Sequence, residues 1–296
     1  GIQYFVNPNK SISLTQKGLI SKILEATNMT ACKSNRTPAS TEALGIDPDG
    51  EPMKEDWNYA SVVGMLIYLS TNTRPDITFA VSQVARFNHN PKQSHATAVK
   101  TIVRYLKGTS DKGTIVNPSN KSLSLNCFVD ADFAGLFGKD PSSSPSSAKS
   151  RVGYIIKLSG CPVLWKSQLM SSICLSTAEA EYYALSQAMR VVLPLRALLL
   201  EIFTHVQLPK VLLPLDSQFT ATVHEDNTSA LSLATDQRIT SRTRHYNQRK
   251  HFFWQAINDA EVEVVYCDTE LQDADFLTKG KPSEPFEKNR RRVMGW

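Results

Sequence analysis

The stretch LNCFVDADFAG, residues 125–135, lies just before the middle of the chain and reads as a strand with an unusual end. From Leu123 onward, Leu123, Leu125, Cys127 and Val129 share one face, while Ser124, Asn126, Phe128, Asp130 and Asp132 share the other, because successive strand side chains alternate. One aspartate at the end would be an ordinary turn residue. Two in line leave two readings, a solvated strand end or the start of a divalent-metal site. The choice depends on whether other carboxylates converge on them.

The chain has 296 residues, 41% of them apolar, which allows two domains or one large one with a sizeable core. No window of about 18 uncharged apolar residues is present, so no membrane partner is expected. No charged-then-apolar leader opens the chain, so nothing points to secretion. Gly1 begins the strand-like run GIQYFV, as in a piece of a longer chain. Cys32, Cys127, Cys161, Cys174 and Cys267 are scattered, with no C-x-x-C and no Cys/His cluster. That spacing points to reduced, intracellular thiols and away from structural zinc. A net charge of +5 permits a nucleic-acid partner without requiring one.

Residues 1–115 read as short strands followed by helices. In SISLTQKGLISKIL, Ser13 and Gln16 stand at capping-box spacing ahead of Leu19, Ile20, Ile23 and Leu24 on one helical face. After the polar loop TEALGIDPDGEPMKEDW, three helices are predicted. One runs from Asn58 to Leu69, and one starts at Pro75 and carries Ile77, Val81, Val84 and Ala85. The third starts near Pro91, carries Val99, Ile102, Val103 and Leu106, and ends at Gly108. With no Ser/His/Asp or Cys/His arrangement and no Gly-rich phosphate loop, this half reads as a helical support or a nucleic-acid-tracking module.

Residues 116–280 have a different texture. The opening strand is followed by the Ser/Pro loop GKDPSSSPSSAKS and by three β-rich runs, RVGYIIKL, CPVLWKS and SSICLS, as in an antiparallel meander. A long helix, a strand ending at TVHEDN, two helical stretches with a basic connector, the strand EVEVVYC and a final helix LQDADFLTKG come next. This order predicts an α/β fold, a mixed sheet with helices on its faces. Residues 281–296, which include EKNRRRVMGW, read as a solvated basic C-terminal tail.

Further carboxylates lie along this second part. In STAEAEYYALSQAMRVV, Ser176 and Glu179 stand at S-x-x-E spacing, so Glu179 serves the helix start and its face continues through Tyr183, Ser186 and Arg190. Glu181 shares the opposite face with Leu185, Ala188 and Val192, the side toward the sheet. A carboxylate there must be paired, protonated or metal-bound. Asp226 ends a strand immediately before a helix, where open α/β sheets bind ligands, and it competes with Asn227 and Thr228 for the role of helix cap. Asp273 and Asp275 stand near a helix start, where negative charge suits the dipole whatever its function. Carboxylates from four segments, without His or Cys, favour hard ions such as Mg²⁺ or Mn²⁺. Two such ions about 4 Å apart activate a water and stabilise the leaving oxygen in phosphodiester cleavage.

FVDADFAG, KSRVGYII, LSTAEAEYYALSQA, HEDNTSAL, SRTRHYNQRKHFF and DADFLTK together resemble the RNase H domain of copia-type LTR-retrotransposon Pol polyproteins. YASVVGMLIYLSTNTRPDITFAVSQVARF and HATAVKTIVRYLKGT resemble the reverse-transcriptase thumb and connection segment of the same Pol. The resemblance implies an RNase H-like mixed five-stranded sheet with flanking helices over 116–280, preceded over 1–115 by the mostly helical thumb/connection fragment. It carries the family's catalytic and metal-binding quartet to Asp130, Glu181, Asp226 and Asp275. The implied activity is a metal-dependent endoribonuclease with two Mg²⁺ or Mn²⁺ ions, acting on the RNA strand of RNA–DNA hybrids. The implied partners are such a hybrid and the rest of the Pol polyprotein, its polymerase core and integrase. The implied setting is the cytoplasm, including virus-like particles.

The polymerase Y-x-D-D aspartates are expected upstream of Gly1, so no DNA synthesis is expected of this chain. YCDTELQDADF offers no histidine of the kind that assists the leaving group in cellular RNases H, and His224 should point away from Glu225. Arg242, Arg244, His245, Arg249 and Lys250, together with Arg238, are the candidate nucleic-acid contacts, although Phe252, Phe253 and Trp254 in the same run cannot all face outward. Two other functions compete. One is another enzyme of the same superfamily, an integrase or a 3′–5′ exonuclease; an integrase would want a D-D-E arrangement with glutamate on the late helix and often a His/Cys zinc module, whereas Asp275 stands on that helix here and zinc ligands are lacking. The other is an inactive, domesticated hybrid-binding scaffold.

Overall fold

The computed structural model describes residues 1–117, 123–206, 219–235 and 247–296, with the side chains of all of these except 247–251 and 253. Strands β1 (Gln3–Val6) and β2 (Ile12–Thr15) pair antiparallel, and α1 (Lys17–Ala26) follows, burying Ile20, Ile23 and Leu24. The predicted Ser13–Gln16 capping box is not formed. Ser13 belongs to β2, and the Gln16 side-chain oxygen accepts instead from Thr73 Oγ1 at 2.8 Å, so tertiary contact has claimed the capping group. Helix α2 (Tyr59–Asn72) is capped by Asn58, whose side chain accepts from Ser61 N. A 3₁₀ turn at Pro75–Ile77 leads into α3 (Thr78–Val84), and α4 (Gln93–Gly108) closes this layer. The three helices match those predicted, to within a turn at each end. Strand β3 (Thr114–Val116) then returns to β2.

The second sheet is built from β4 (Leu125–Asp132), β5 (Arg151–Leu158), β6 (Cys161–Leu169), β7 (Ala221–Glu225) and β8 (Val262–Tyr266). Its order is β6-β5-β4-β7-β8, antiparallel among β4, β5 and β6 and parallel from β4 through β7 to β8. The flanking helices are α5 (Thr177–His205), α6 (Thr228–Thr235), α7 (Asn247–Asn258) and α8 (Ser283–Met294). This is the expected mixed five-stranded sheet with helices, preceded by a mostly helical segment.

Both faces of β4 are covered. Leu125, Cys127 and Val129 pack with Val152, Tyr154, Ile156 and Val223 against Ala180, Ala184, Leu185, Ala188 and Val192 of α5. On the other face Phe128, Ile155 and Trp165 join the core of α1–α4, together with Phe276, Leu277 and Phe286. The face that carries Asp130 is therefore not a solvated one.

Three expectations for the second part are corrected. SSICLS is not a strand: Met170 and Cys174 turn into the core while Ile173 and Leu175 are exposed, a spacing of four instead of an alternation. LQDADFLTKG is not an α-helix but two 3₁₀ turns, Thr269–Leu271 and Asp275–Leu277. Gln272 holds it flat on β4, its Nε2 donating to Val129 O at 2.9 Å. Gly153 lets the turn come close, since a Cβ there would lie 2.8 Å from Thr278 Cγ2 and 2.9 Å from Leu277 Cβ. The 281–296 segment is not a solvated tail either. Phe286, Val293 and Met294, at helical spacing on α8, are buried in the first half's core, and Phe286 alone contributes about 1.5–3 kcal/mol.

Arg74 and Asp76, both fully buried, tie these parts together. The guanidinium meets the carboxylate through Nε–Oδ1 at 2.9 Å and Nη2–Oδ2 at 2.8 Å, and it donates to Thr109 O and Oγ1. Tyr105 OH donates to Asp76 Oδ2 at 2.6 Å, and the Trp296 ring, beyond α8, stands over Arg74. Among the described residues no helix is long and apolar enough to cross a membrane. Asp76→Asn leaves the arginine buried with its countercharge removed, so urea unfolding is expected to show a loss of about 3–5 kcal/mol. A loss below about 1 kcal/mol would show that the pair is not a structural tie.

Candidate metal centre

The sheet brings two of the predicted carboxylates level with each other. Parallel pairing sets Phe128 against His224, so the same register carried two residues further puts Asp226, just beyond β7, beside Asp130 on β4. Glu181 comes from the second turn of α5, on the face that packs over β4. One oxygen from each of Asp130, Glu181 and Asp226 lies within 4.8 Å of the others. Asp130 and Glu181 are buried and Asp226 is half-buried.

Local capping explains why these side chains are free for the site. Glu179 is occupied at the helix start: its Oε2 accepts from Leu175 N at 2.6 Å, while Ser176 Oγ accepts from Glu179 N at 3.1 Å. Asn227, not Asp226, caps α6, accepting from Ala230 N at 3.0 Å. Glu181 Oε2 is buried without a hydrogen-bond partner. An orphaned carboxylate oxygen in a dry site is costly.

The electrostatics state the same cost. Burial first, then the charges of Asp130, Glu225 and Asp226, push Glu181 up to about 11. Burial, with Asp275 and Asp226 adding to it, pushes Asp130 up to about 7, against the opposing pull of Lys279 and of the Thr278 hydroxyl. Three convergent carboxylates, one with an unsatisfied oxygen, fit a hard divalent cation, which would reverse these shifts.

Asp275 stands outside this group of three. Lys279 Nζ is 2.8 Å from its Oδ1, and Lys281 pairs with its Oδ2. It remains near enough for its charge to raise Asp130, and the turn it opens sends Thr278 Oγ1 to Asp130 Oδ2. Asp273 is taken up by Lys157 and by Arg292 Nε at 2.5 Å. Asp132 ends β4 with its Oδ2 only 1.7 Å from where a Cβ on Gly135 would stand, so it turns away from the group. His224 lies on the opposite side of β7 from Glu225, stacked on Phe128 with Nε2 3.1 Å from Asn126 Oδ1.

Three residues at the site were not singled out from sequence. Glu225 is fully buried beside the three carboxylates, its Oε1 accepting from Asn227 N at 3.0 Å and its Oε2 unpartnered. Burial pushes it up to about 8. The signal was present, since Glu225 follows Ala221 and Val223 on the apolar face of β7. Thr278 and Lys279 act through a turn folded onto β4, which no local pattern announces. Burial alone would depress Lys279; Asp130, Asp275 and Asp132 outweigh it and hold its pKa above the ordinary lysine value. Of the candidate nucleic-acid contacts, Arg242, Arg244 and His245 lie outside the described residues. Arg249 and Lys250 fall on α7, with side chains outside them.

No family model matches the chain. A retrovirus-related Pol polyprotein from transposon TNT 1-94 of Nicotiana tabacum is 32% identical over 291 residues, which is 94% of this chain and 20% of that protein. The corresponding Pol polyprotein from transposon RE1 of Arabidopsis thaliana is 31% identical over 276 residues, 93% of this chain and 17% of its own. An uncharacterized mitochondrial protein of Arabidopsis thaliana is 31% identical over 187 residues, 63% of this chain and 72% of its own. Among solved structures, LC11-RNase H1 isolated from compost aligns with 52% of this chain and 91% of its own, at 13% identity and a TM-score of 0.30. The chain spans about a fifth of the length of the Pol relatives it matches. Matched by them along nearly its whole length, it belongs to the Pol polyproteins of copia-type retrotransposons.

Proposed function

We propose that this chain carries a metal-dependent ribonuclease H activity, an endonuclease that hydrolyses the RNA strand of RNA–DNA hybrids during reverse transcription. The observation that carries this reading is the convergence of Asp130, Glu181 and Asp226 at one end of the mixed sheet, with an orphaned oxygen on Glu181. Residues 1–115 are then the thumb/connection segment, residues 116–280 the RNase H-like part and residues 281–296 the closing segment. The polymerase core and integrase of the same polyprotein are its partners, and its setting is the cytoplasm or a virus-like particle.

When bound, two Mg²⁺ or Mn²⁺ ions supply a nucleophilic water and charge stabilisation at the leaving oxygen. The chain's own residues hold and shape that site. Asp130, Glu181 and Asp226 provide the negative charge, and Thr278 fixes the orientation of Asp130 by donating to its Oδ2. Asp275 is the fourth acidic member of the proposed set, and its engagement requires the pairs with Lys279 and Lys281 to open. Arg242, Arg244, His245, Arg249 and Lys250 are proposed to follow the hybrid backbone.

A second reading draws on those same lysines. With Asp275 neutralised by two cations, the site could bind nucleic acid without cutting it, as an inactive scaffold. Incubation of the chain with a 5′-labelled RNA–DNA hybrid separates the two. The ribonuclease reading expects cleavage of the RNA strand alone, with Mg²⁺ or Mn²⁺, abolished by EDTA. Asp226→Asn should lower it by more than the roughly 10–100-fold of a change outside the ligand set. Binding without cleavage would establish the scaffold instead.

Thermal unfolding adds a separation that does not depend on turnover. Mn²⁺ at about 100 times its dissociation constant should stabilise the native chain by about 2.7 kcal/mol. Glu181→Gln should lose that increment, because the orphaned ligand is gone. Glu179→Gln should keep both the increment and the cleavage while losing about 0.5–2 kcal/mol of cap stability. An equal Mn²⁺ response in wild type and Glu181→Gln would contradict the assignment.

A further inference from the structure

Helix α5 runs for 29 residues, about 43 Å, and only one side of its later half is covered. On that side Ala188, Val192 and Leu199 are buried in the core of the second sheet. Arg196 is held there too, its Nε donating to Phe219 O at 2.6 Å and its Nη1 pairing with Glu261 at 3.3 Å. On the other side Val191, Leu195, Leu198 and Ile202 follow one another at spacings of four, three and four, which aligns them in a single stripe. Leu198 is 52% exposed and Ile202 43%, and Val206 continues the row at 48%. Val191 and Leu195 are half-buried, and Pro194 stands beside the stripe, not in it. A single exposed leucine needs no explanation, but a row of apolar residues in register marks a contact surface.

The two ends of the stripe carry opposite charges. At its start Arg190 and Lys166 border, with Val191, the groove between α5 and β6. Toward its far end Glu201 is exposed on the same side of the helix as Arg190, since the eleven residues between them make close to three turns. Among the described residues none of these three charges forms an ion pair. The row is therefore self-complementary: turned end for end, it brings its acidic end to its own basic end.

We propose that this stripe is the contact surface for a second copy of the chain, with the two α5 helices antiparallel about a twofold axis that passes between Arg196 and Ala197. Leu195 then faces Leu198 of the second copy and Val191 faces Ile202, the layering of an apolar seam between two helices. Along the helix, Glu201 of one copy comes within about 3 Å of the level of Arg190 of the other. A twofold contact uses every pair twice, so two Arg190–Glu201 pairs flank the seam. The symmetry is what selects a second copy over a different protein, because the stripe matches its own reverse in both its apolar layers and its end charges. Glu181 precedes Leu195 by fourteen residues, about 21 Å along α5, so the pairing leaves the carboxylate site open whatever its activity.

Sedimentation equilibrium of the full chain tests this. Four apolar residues a side are fewer than the roughly 20–30 residues of a standard interface, so dimerisation is expected within a range of about 1–100 μM. Leu198→Asp changes an exposed side chain, so it should keep the wild-type circular dichroism and remain monomeric across that range. Arg190→Glu and Glu201→Arg should each weaken dimerisation about tenfold, since two pairs are lost and like charges meet twice. The two changes together should restore it. A wild-type chain that stays monomeric throughout, as it would if the stripe were covered within the chain or by another protein, would overturn the proposal. So would a dimer indifferent to Leu198→Asp, charge reversals that do not rescue each other, or assemblies larger than a dimer.

Discussion

A strand covered on both faces has to deliver negative charge at its end. That constraint runs through the molecule. α5 lies over one face of β4, and α1–α4 with the 275–278 turn lie over the other, so Asp130 emerges in surroundings with little water. Burying a carboxylate is tolerable only with a partner. The chain supplies cations elsewhere, with Arg74 for Asp76, Arg86 for Asp140, Lys157 and Arg292 for Asp273, and Lys279 and Lys281 for Asp275. Asp130, Glu181 and Glu225, by contrast, have no ion-pair partner among the described residues, although all three are buried. The unbalanced charge is thus local, and it coincides with the three convergent oxygens.

The same covering joins the two textures of the sequence. Phe128, Ile155 and Trp165 of the second sheet and Phe286, Val293 and Met294 of α8 share one core with α1–α4. Trp165 Nε1 donates to Ser70 O at 2.8 Å and Trp296 Nε1 to Gly113 O at 2.6 Å, each crossing from the second part to the first. The position of the 275–278 turn over Gly153, and through it the hydroxyl on Asp130, therefore depends on how the early helices and the last one pack.

Much of this was legible wherever the signal was local. The alternation through Leu125, Cys127 and Val129 identified β4, and the S-x-x-E spacing separated Glu179 from Glu181 two residues on. The strand-to-helix junction put Asp226 at the end of β7. Signals that depend on distant contacts misled or were silent. Ser13 looked like a cap and was drawn into a hairpin, while Gln16 was claimed by Thr73. The charges of α8 concealed the face on which Phe286, Val293 and Met294 are buried, two turns apart. Asp275 looked equivalent to Asp226, although Lys279 stands four residues on and, with Lys281, pairs with it. Glu225 is readable as a glutamate in the apolar row of Ala221 and Val223, immediately before Asp226.

The central claim is that Asp130, Glu181 and Asp226 form a divalent-cation site. Crystals grown with Mn²⁺ and measured at the manganese absorption edge test it directly. The account predicts an anomalous-difference peak bonded by a carboxylate oxygen from each of the three, at roughly 2.0–2.2 Å as for a hard ion of this size, with Glu181 Oε2 no longer unpartnered. No peak there, with the three carboxylates turned to protein donors of their own, would contradict it.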